Sequence, residues 1–199
     1  MLLILSTSKT VNASYRDAAT GSVLYKVKTP VRVHDLTTTI TRRIDDVPRH
    51  PEPGSPGAQD ADERFGFLAR IAWRLVGWHT TIQFGGHEID PATFFRTERT
   101  AEYVFTAQDG KEYRWSVQSN SSRLKVNDAA ATLVAEYRVK SVGLRTPKSD
   151  AMLEIFPEFE HLADEIMACI SGAFHSPPDL SLDDFYPCRK DPEITSGRK

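Results

Sequence analysis

The stretch Ile166-Met167-Ala168-Cys169-Ile170-Ser171-Gly172-Ala173-Phe174 carries no charged side chain. Pro157 stands upstream of it, and Glu158, Glu160, Asp164 and Glu165 fill the residues between. Residues 158–174 therefore read as a helix, because proline costs little at a helix start and carboxylates suit the positive end of the dipole. A helix lying on a surface keeps a polar stripe along its length. A helix uncharged all round in its second half must be enclosed, so the remainder of the chain has to supply a wall around it.

That remainder has the period of strands. Val23, Tyr25, Val27 and Thr29 alternate with Leu24, Lys26 and Lys28, and Phe65, Phe67, Ala69, Ile71 and Trp73 frame Arg70 and Arg74. Tyr113, Trp115 and Val117 alternate with Arg114 and Ser116, and Leu133, Ala135, Tyr137 and Val139 with Glu136, Arg138 and Lys140. Period two marks strands with one buried face. Thr20-Gly21, Gly85-Gly86, Asp109-Gly110 and Asn127-Asp128 supply turns between the runs, Asp-Gly being a strong hairpin signal. The pattern gives about twelve strands, near 2–6, 12–17, 22–29, 36–43, 66–76, 79–84, 92–98, 101–107, 111–118, 122–126, 131–140 and 151–156. So many short strands must close or stack, since open edges recruit other chains. The expected fold is all-β with one helix: a closed antiparallel barrel of about twelve strands around a buried C-terminal helix, one domain over residues 1–174.

Two segments fall outside that domain. Residues 45–63 hold four Pro and two Gly, with Val47 the only large apolar side chain, and read as a disordered insertion. The tail 175–199 opens Ser176-Pro177-Pro178 and reads as mostly disordered. Charge follows the same division: +5 over residues 1–44, −5 over 45–63, +5 over 64–148 and −7 over 149–199, for a total of −2. A total this close to neutral speaks against a nucleic-acid binder. Two cysteines make no disulfide framework, and no apolar run approaches a membrane span. The apolar start Leu2-Leu3-Ile4-Leu5 is too short for a secretory signal. The chain is expected in the cytoplasm, with Asn12-Ala13-Ser14 and Asn120-Ser121-Ser122 unglycosylated.

An ordered series of residues resembles a fungal family of unknown function. It comprises Leu3-Ile4-Leu5, Asn12, Asp17 to Gly21, Leu24-Tyr25-Lys26-Val27-Lys28-Thr29-Pro30, Thr37-Thr38-Thr39-Ile40 and Arg70-Ile71-Ala72-Trp73. It continues through Phe105, Asp109-Gly110, Tyr113-Arg114-Trp115, Leu124, Val134-Ala135 and Leu153-Glu154-Ile155 to Asp164-Glu165-Ile166-Met167. That family looks like a member of the tubby C-terminal-like group, with the plant LURP-one-related proteins and the phospholipid scramblases. The resemblance implies a twelve-stranded barrel around a hydrophobic helix. Tubby itself binds phosphoinositide headgroups, and its binding residues find no one-to-one match here.

Chemistry is sparse. Phosphate loops, dinucleotide fingerprints and nucleophile elbows are missing from the sequence. His79, His87 and Asp90 flank one predicted hairpin, a set found more often on exposed loops than around a metal. Cys169 reads as core packing, and Cys188 as an exposed thiol of the tail. The aromatics Tyr25, Phe65, Phe67, Trp73, Trp78, Tyr113, Trp115 and Tyr137 read as core around the helix. No enzyme, cofactor or metal is expected. The basic residues remain: Lys26 and Lys28 share one strand face, Arg138 and Lys140 another, and Arg42 and Arg43 end the Thr-rich strand. They lead to a non-catalytic binding module for anionic lipid headgroups, peripheral at membranes. The alternatives are a protein–protein scaffold acting through the acidic loop and tail, and an enzyme whose site is assembled only in space.

Overall fold

The structure, a computed structural model, describes residues 1–30, 35–44, 64–74, 79–141, 143 and 149–172. The insertion 45–63 and the tail 175–199 lie outside them, with Trp78, Cys188 and the side chains of Trp73 and His79.

Thirteen strands form one antiparallel sheet. They are β1 (Leu2–Leu5), β2 (Ala13–Asp17), β3 (Val23–Lys28), β4 (Asp35–Arg43), β5 (Phe65–Arg74), β6 (His79–Phe84) and β7 (His87–Ile89), then, after the short helix α1 (Pro91–Phe94), β8 (Arg96–Arg99). β9 (Glu102–Thr106), β10 (Glu112–Val117), β11 (Ser121–Val126), β12 (Leu133–Arg138) and β13 (Met152–Ile155) complete it. A 3₁₀ turn, Pro157–Leu162, leads into α2 (Ala163–Gly172). The order across the sheet is β7-β6-β5-β4-β3-β2-β1-β13-β12-β11-β10-β9-β8. The first and last of these strands, β1 and β13, therefore meet in its middle, with Leu3 opposite Leu153.

The expected closed barrel is not formed. Among the described residues β7 and β8 are both edges, and no ladder joins them. β7 has three residues, and all four residues of β8 are exposed and mostly charged. Short and charged edges resist pairing with other chains, so the sheet manages its edges without closing. The expected strand at 92–98 is shorter for a local reason. Asp90 caps a helical turn, its Oδ1 accepting from Ala92 N at 2.9 Å, and Pro91 occupies the first position. The chain thus turns through α1 before β8 begins.

The sheet still curls around α2. Leu3, Tyr15, Ile40, Ile71, Tyr113, Trp115, Leu124 and Leu153 are each fully buried, in one cluster with Ile166, Met167 and Ile170 of the helix. The buried-helix expectation holds at those three positions, 0, 0 and 2% exposed. The Asp109-Gly110 hairpin is also as expected, Gly110 standing at φ 78° with its N–H donating to Ala107 O.

Phe65 and Phe67 correct the core reading. Ile40 pairs with Ala69 but Thr41 pairs with Phe67, so Leu68 is an extra residue in β5. A bulge of one residue exchanges the two faces beyond it. Phe67 consequently lies 53% exposed, while Ala69 and Ile71, of the same sequence parity, are buried.

Candidate functional site

Where the ladder stops, the two ends of the sheet face each other. Phe105 of β9 stacks against Phe94 and Phe95 at 5.6 and 5.8 Å between ring centroids. From the other end, the Gly85-Gly86 turn joins β6 to β7 with both φ values positive, the two-residue turn that suits glycine. A Cβ on Gly85 would lie 3.9 Å from Gln108 Nε2, beyond β9. Between these elements a cleft of about 600 Å³ opens onto α2. Its walls are Ile82, Phe84, Ile89, Phe94, Phe95 and Ala107, and its floor is Glu165, Ala168 and Cys169. Helical spacing of three and four residues aligns those floor positions on one face.

A second hollow of about 530 Å³ shares Phe84, Gly85, Gln108 and Glu165 with the first, so the two adjoin as halves of one trough. Its other lining includes Asp109, His161 and Asp164. The three carboxylates of the trough are held differently. Asp164 Oδ1 accepts from the Tyr25 hydroxyl at 2.8 Å, and its Oδ2 meets Arg42 Nη1 at 2.6 Å. Asp109 accepts from the Tyr113 hydroxyl at 2.7 Å and from Lys111 N at 3.0 Å, with His161 Nε2 at 3.7 Å. Desolvation is the largest single influence on Asp109 and pushes its pKa up, but these donors together outweigh it and hold it low. Glu165 has the Gln108 backbone N–H on Oε1 at 2.9 Å, while Oε2 is buried without a hydrogen-bond partner among the described residues. Desolvation, helped by Asp109 and Asp164, raises its pKa against the opposing Gln108 N–H and His161.

Cys169 packs as expected, 4% exposed, and burial, with the Glu165 charge, pushes its thiol far up. Of the predicted hairpin cluster, His87 lines the cleft and Asp90 caps α1. Among the described residues no group of three His, Cys, Asp or Glu side chains is arranged to hold a metal ion.

The six basic residues singled out from the sequence do not make one patch. Lys26 and Lys28 on β3 are separated from Arg138 on β12 by β2, β1 and β13. Arg138 is tied to Glu136 by Nε at 2.9 Å and Nη2 at 2.5 Å, and Lys140 lies 3.4 Å from Asp150. Arg42 pairs across the ladder with buried Tyr25, which puts it on the inner face, reaching Asp164 rather than standing beside Lys26. Arg43 is on the outer face with Lys26 and Lys28, next to Phe65. There Lys26 Nζ sits 3.7 Å above the Phe65 ring, and the Arg70 guanidinium 5.9 Å from that of Phe67.

Reading the sequence missed Phe94, Phe95, Gln108 and Glu165. The available signal was Glu165 itself: it shares a helical face with Ala168 and Cys169, an apolar face that a dipole-balancing carboxylate has no need to occupy.

An antiparallel sheet wrapped about one helix, with a mouth at its unclosed seam, defines a small β module. The chain belongs to the family of unknown function DUF6593, whose sequence profile matches residues 6–170. No curated protein matches it. It is similar to a crystal structure of a protein of unknown function from Bacteroides fragilis NCTC 9343, at 11% identity over 75% of this chain and 86% of that one, with a TM-score of 0.23. Among the described residues no helix is long and apolar enough to cross a membrane.

Proposed function

We propose that the chain is a non-catalytic binding module whose seat is the seam cleft, and that it takes a small, largely apolar molecule. The observation that carries this is the pairing of about 600 Å³ of apolar-lined space with one carboxylate oxygen that lacks a partner. Ligand seats are typically of this size, apolar with a few placed polar groups. An enzymatic rival exists, because Cys169, His87 and Glu165 line the same cleft. A nucleophilic cysteine needs its thiolate, and this thiol is driven the other way by burial and by the neighbouring carboxylate. The test is binding of the apolar fluorophore N-phenyl-1-naphthylamine to the full chain and to Thr106→Trp, which fills the cleft from an exposed position of β9. Fluorescence gained by the wild type and lost in the folded variant is the expected result. Equal binding by both would place the dye elsewhere and end the proposal.

A second reading has its own observation: the outer face of β3–β5, where Lys26, Lys28, Arg43 and Arg70 surround exposed Phe67. Basic side chains about a protruding aromatic ring suit an anionic lipid surface, each cation there contributing on the order of 1 kcal/mol. The resemblance to the tubby group supports it, and it would make the protein peripheral at cytoplasmic membranes. Arg138 and Lys140 have no part in it, lying on and just beyond β12, nor has Arg42, which is on the inner face. Co-sedimentation with phosphoinositide liposomes at low salt, lost in Lys28→Glu/Arg43→Glu, is the expected outcome. Retention in that variant would remove the lipid reading and favour the scaffold.

A further inference from the structure

The acidic half of the trough says what kind of molecule the apolar half accepts. Among the described residues neither half is lined by a Lys or an Arg, and together they present Asp109, Asp164 and Glu165. Asp164 has the Arg42 guanidinium at 2.6 Å, and Asp109 has two short hydrogen bonds and His161. Glu165, which lies where the halves join, has a single backbone N–H. Its second oxygen is therefore an acceptor held at the boundary between an apolar space and a negative one. Rotation about the last side-chain bond, a soft torsion, would bring that oxygen toward the trough, at some expense to the Gln108 bond that a ligand must offset.

We propose, resting on the cleft reading above, that the seat takes a cationic amphiphile: an apolar chain between Phe84, Phe94 and Phe95, with its ammonium set against Glu165. An ammonium would supply the missing donor and the missing charge at once. A hydroxyl would supply only the donor. A carboxylate would supply neither and would meet the like charges of Glu165 and Asp109, Asp164 being offset by Arg42. Both heads donate to the carboxylate, and the ammonium adds the attraction of opposite charges, enough for roughly a tenfold preference for the amine over the alcohol.

Decylamine, decanol and decanoate share one chain and differ in the head, so they isolate this choice. Each is titrated, below its micellar concentration, against the full chain loaded with N-phenyl-1-naphthylamine. The expected order of displacement is amine, alcohol, carboxylate, with about tenfold between the first two. In Glu165→Gln the amine should lose its advantage over the alcohol. Equal displacement by amine and alcohol in the wild type, or an amine advantage that survives Glu165→Gln, would overturn the cationic head and leave the cleft reading standing. Failure of the dye itself to bind would overturn both.

Discussion

The sheet has a finished side and an unfinished one, and α2 touches both. Where β1 meets β13, Leu3 and Leu153 face each other with no exposure, and the helix offers Ile166, Met167 and Ile170 to that interior. At the seam, β7 is three residues long, β8 is wholly exposed, and Phe94 and Phe95 are half-buried. Here the helix offers Glu165. The difference teaches that enclosing a helix does not require closing the ladder. Twelve strand-to-strand pairings cover most of the helix, and the remaining opening is spanned by α1 and its phenylalanines. The finished side holds the fold, and the opening is where a polar group can be kept at the edge of an apolar space.

The largest expected effect comes from damaging the finished side. Ile170→Asp puts an unpaired charge where the side chain is 2% exposed. That costs several kcal/mol, comparable to a whole domain stability of roughly 5–15 kcal/mol. The variant should lack a cooperative thermal transition by circular dichroism. A well-folded Ile170→Asp protein would mean that the helix is not enclosed.

Truncation on each side sharpens the contrast. Leu153→Ala should cost about 2–5 kcal/mol by urea unfolding, as emptied core sites do. Phe95→Ala, although it removes a larger group, should cost less, roughly 1–2 kcal/mol, because the ring is only half-buried. It should abolish dye binding. Equal losses at the two sites would make the seam ordinary core.

How much of this was legible follows the same division. The helix and most of the wall were, since an uncharged run and a period of two are local signals. Tyr113, Trp115, Tyr25 and Tyr137 are core residues as their alternation implied. Phe67 was misplaced because a bulge at Leu68 exchanges faces, and Gly66, a glycine inside a strand pattern, is the only local hint of the extra residue. The residues of the cleft come from the 82–95 region, from 106–108 and from α2. They meet only because the sheet curls, which no local pattern encodes. Arg42 shows the limit most plainly: adjacent to Arg43 in sequence, it lies on the opposite face and reaches a carboxylate 122 residues away.

That ion pair joins strand to helix at the rim of the trough. Asp164→Ala leaves the Tyr25 hydroxyl without its acceptor and Arg42 without its carboxylate. Arg42 is largely exposed, so solvent reduces what the pair contributes, and a loss of about 1 kcal/mol is expected. In a double-mutant cycle, Tyr25→Phe should cost less in the Asp164→Ala background than in the wild type. Strict additivity would show that the hydroxyl and the carboxylate do not interact.

The smallest effect separates Glu165 from Asp109 and Glu136 by sign. Asp109 and Glu136 have lowered carboxyl pKa values, so each adds stability above its unfolded pKa that is lost as pH falls through the folded one. Glu165 is raised, and for an acid that means the reverse. Below the ordinary glutamate pKa of about 4.3 it is protonated in both states and contributes no difference. As pH rises, the unfolded chain ionises first, and the folded form is progressively disfavoured until the raised pKa is passed. Glu165→Gln removes that one contribution and keeps the oxygen that accepts from Gln108. The melting temperature of the variant, compared with the wild type, should therefore gain about 1–3 °C between pH 4 and pH 7. The change with pH is the readout, because a constant offset between the proteins reflects only how the amide packs. Asp109, His161 and Asp164 face the same trough and remain in both proteins, so their own titrations largely cancel in the difference. A difference that stays flat across the range, or falls with pH, would show Glu165 to be as well solvated as any surface carboxylate. The unfinished side would then hold no desolvated group for a ligand to satisfy.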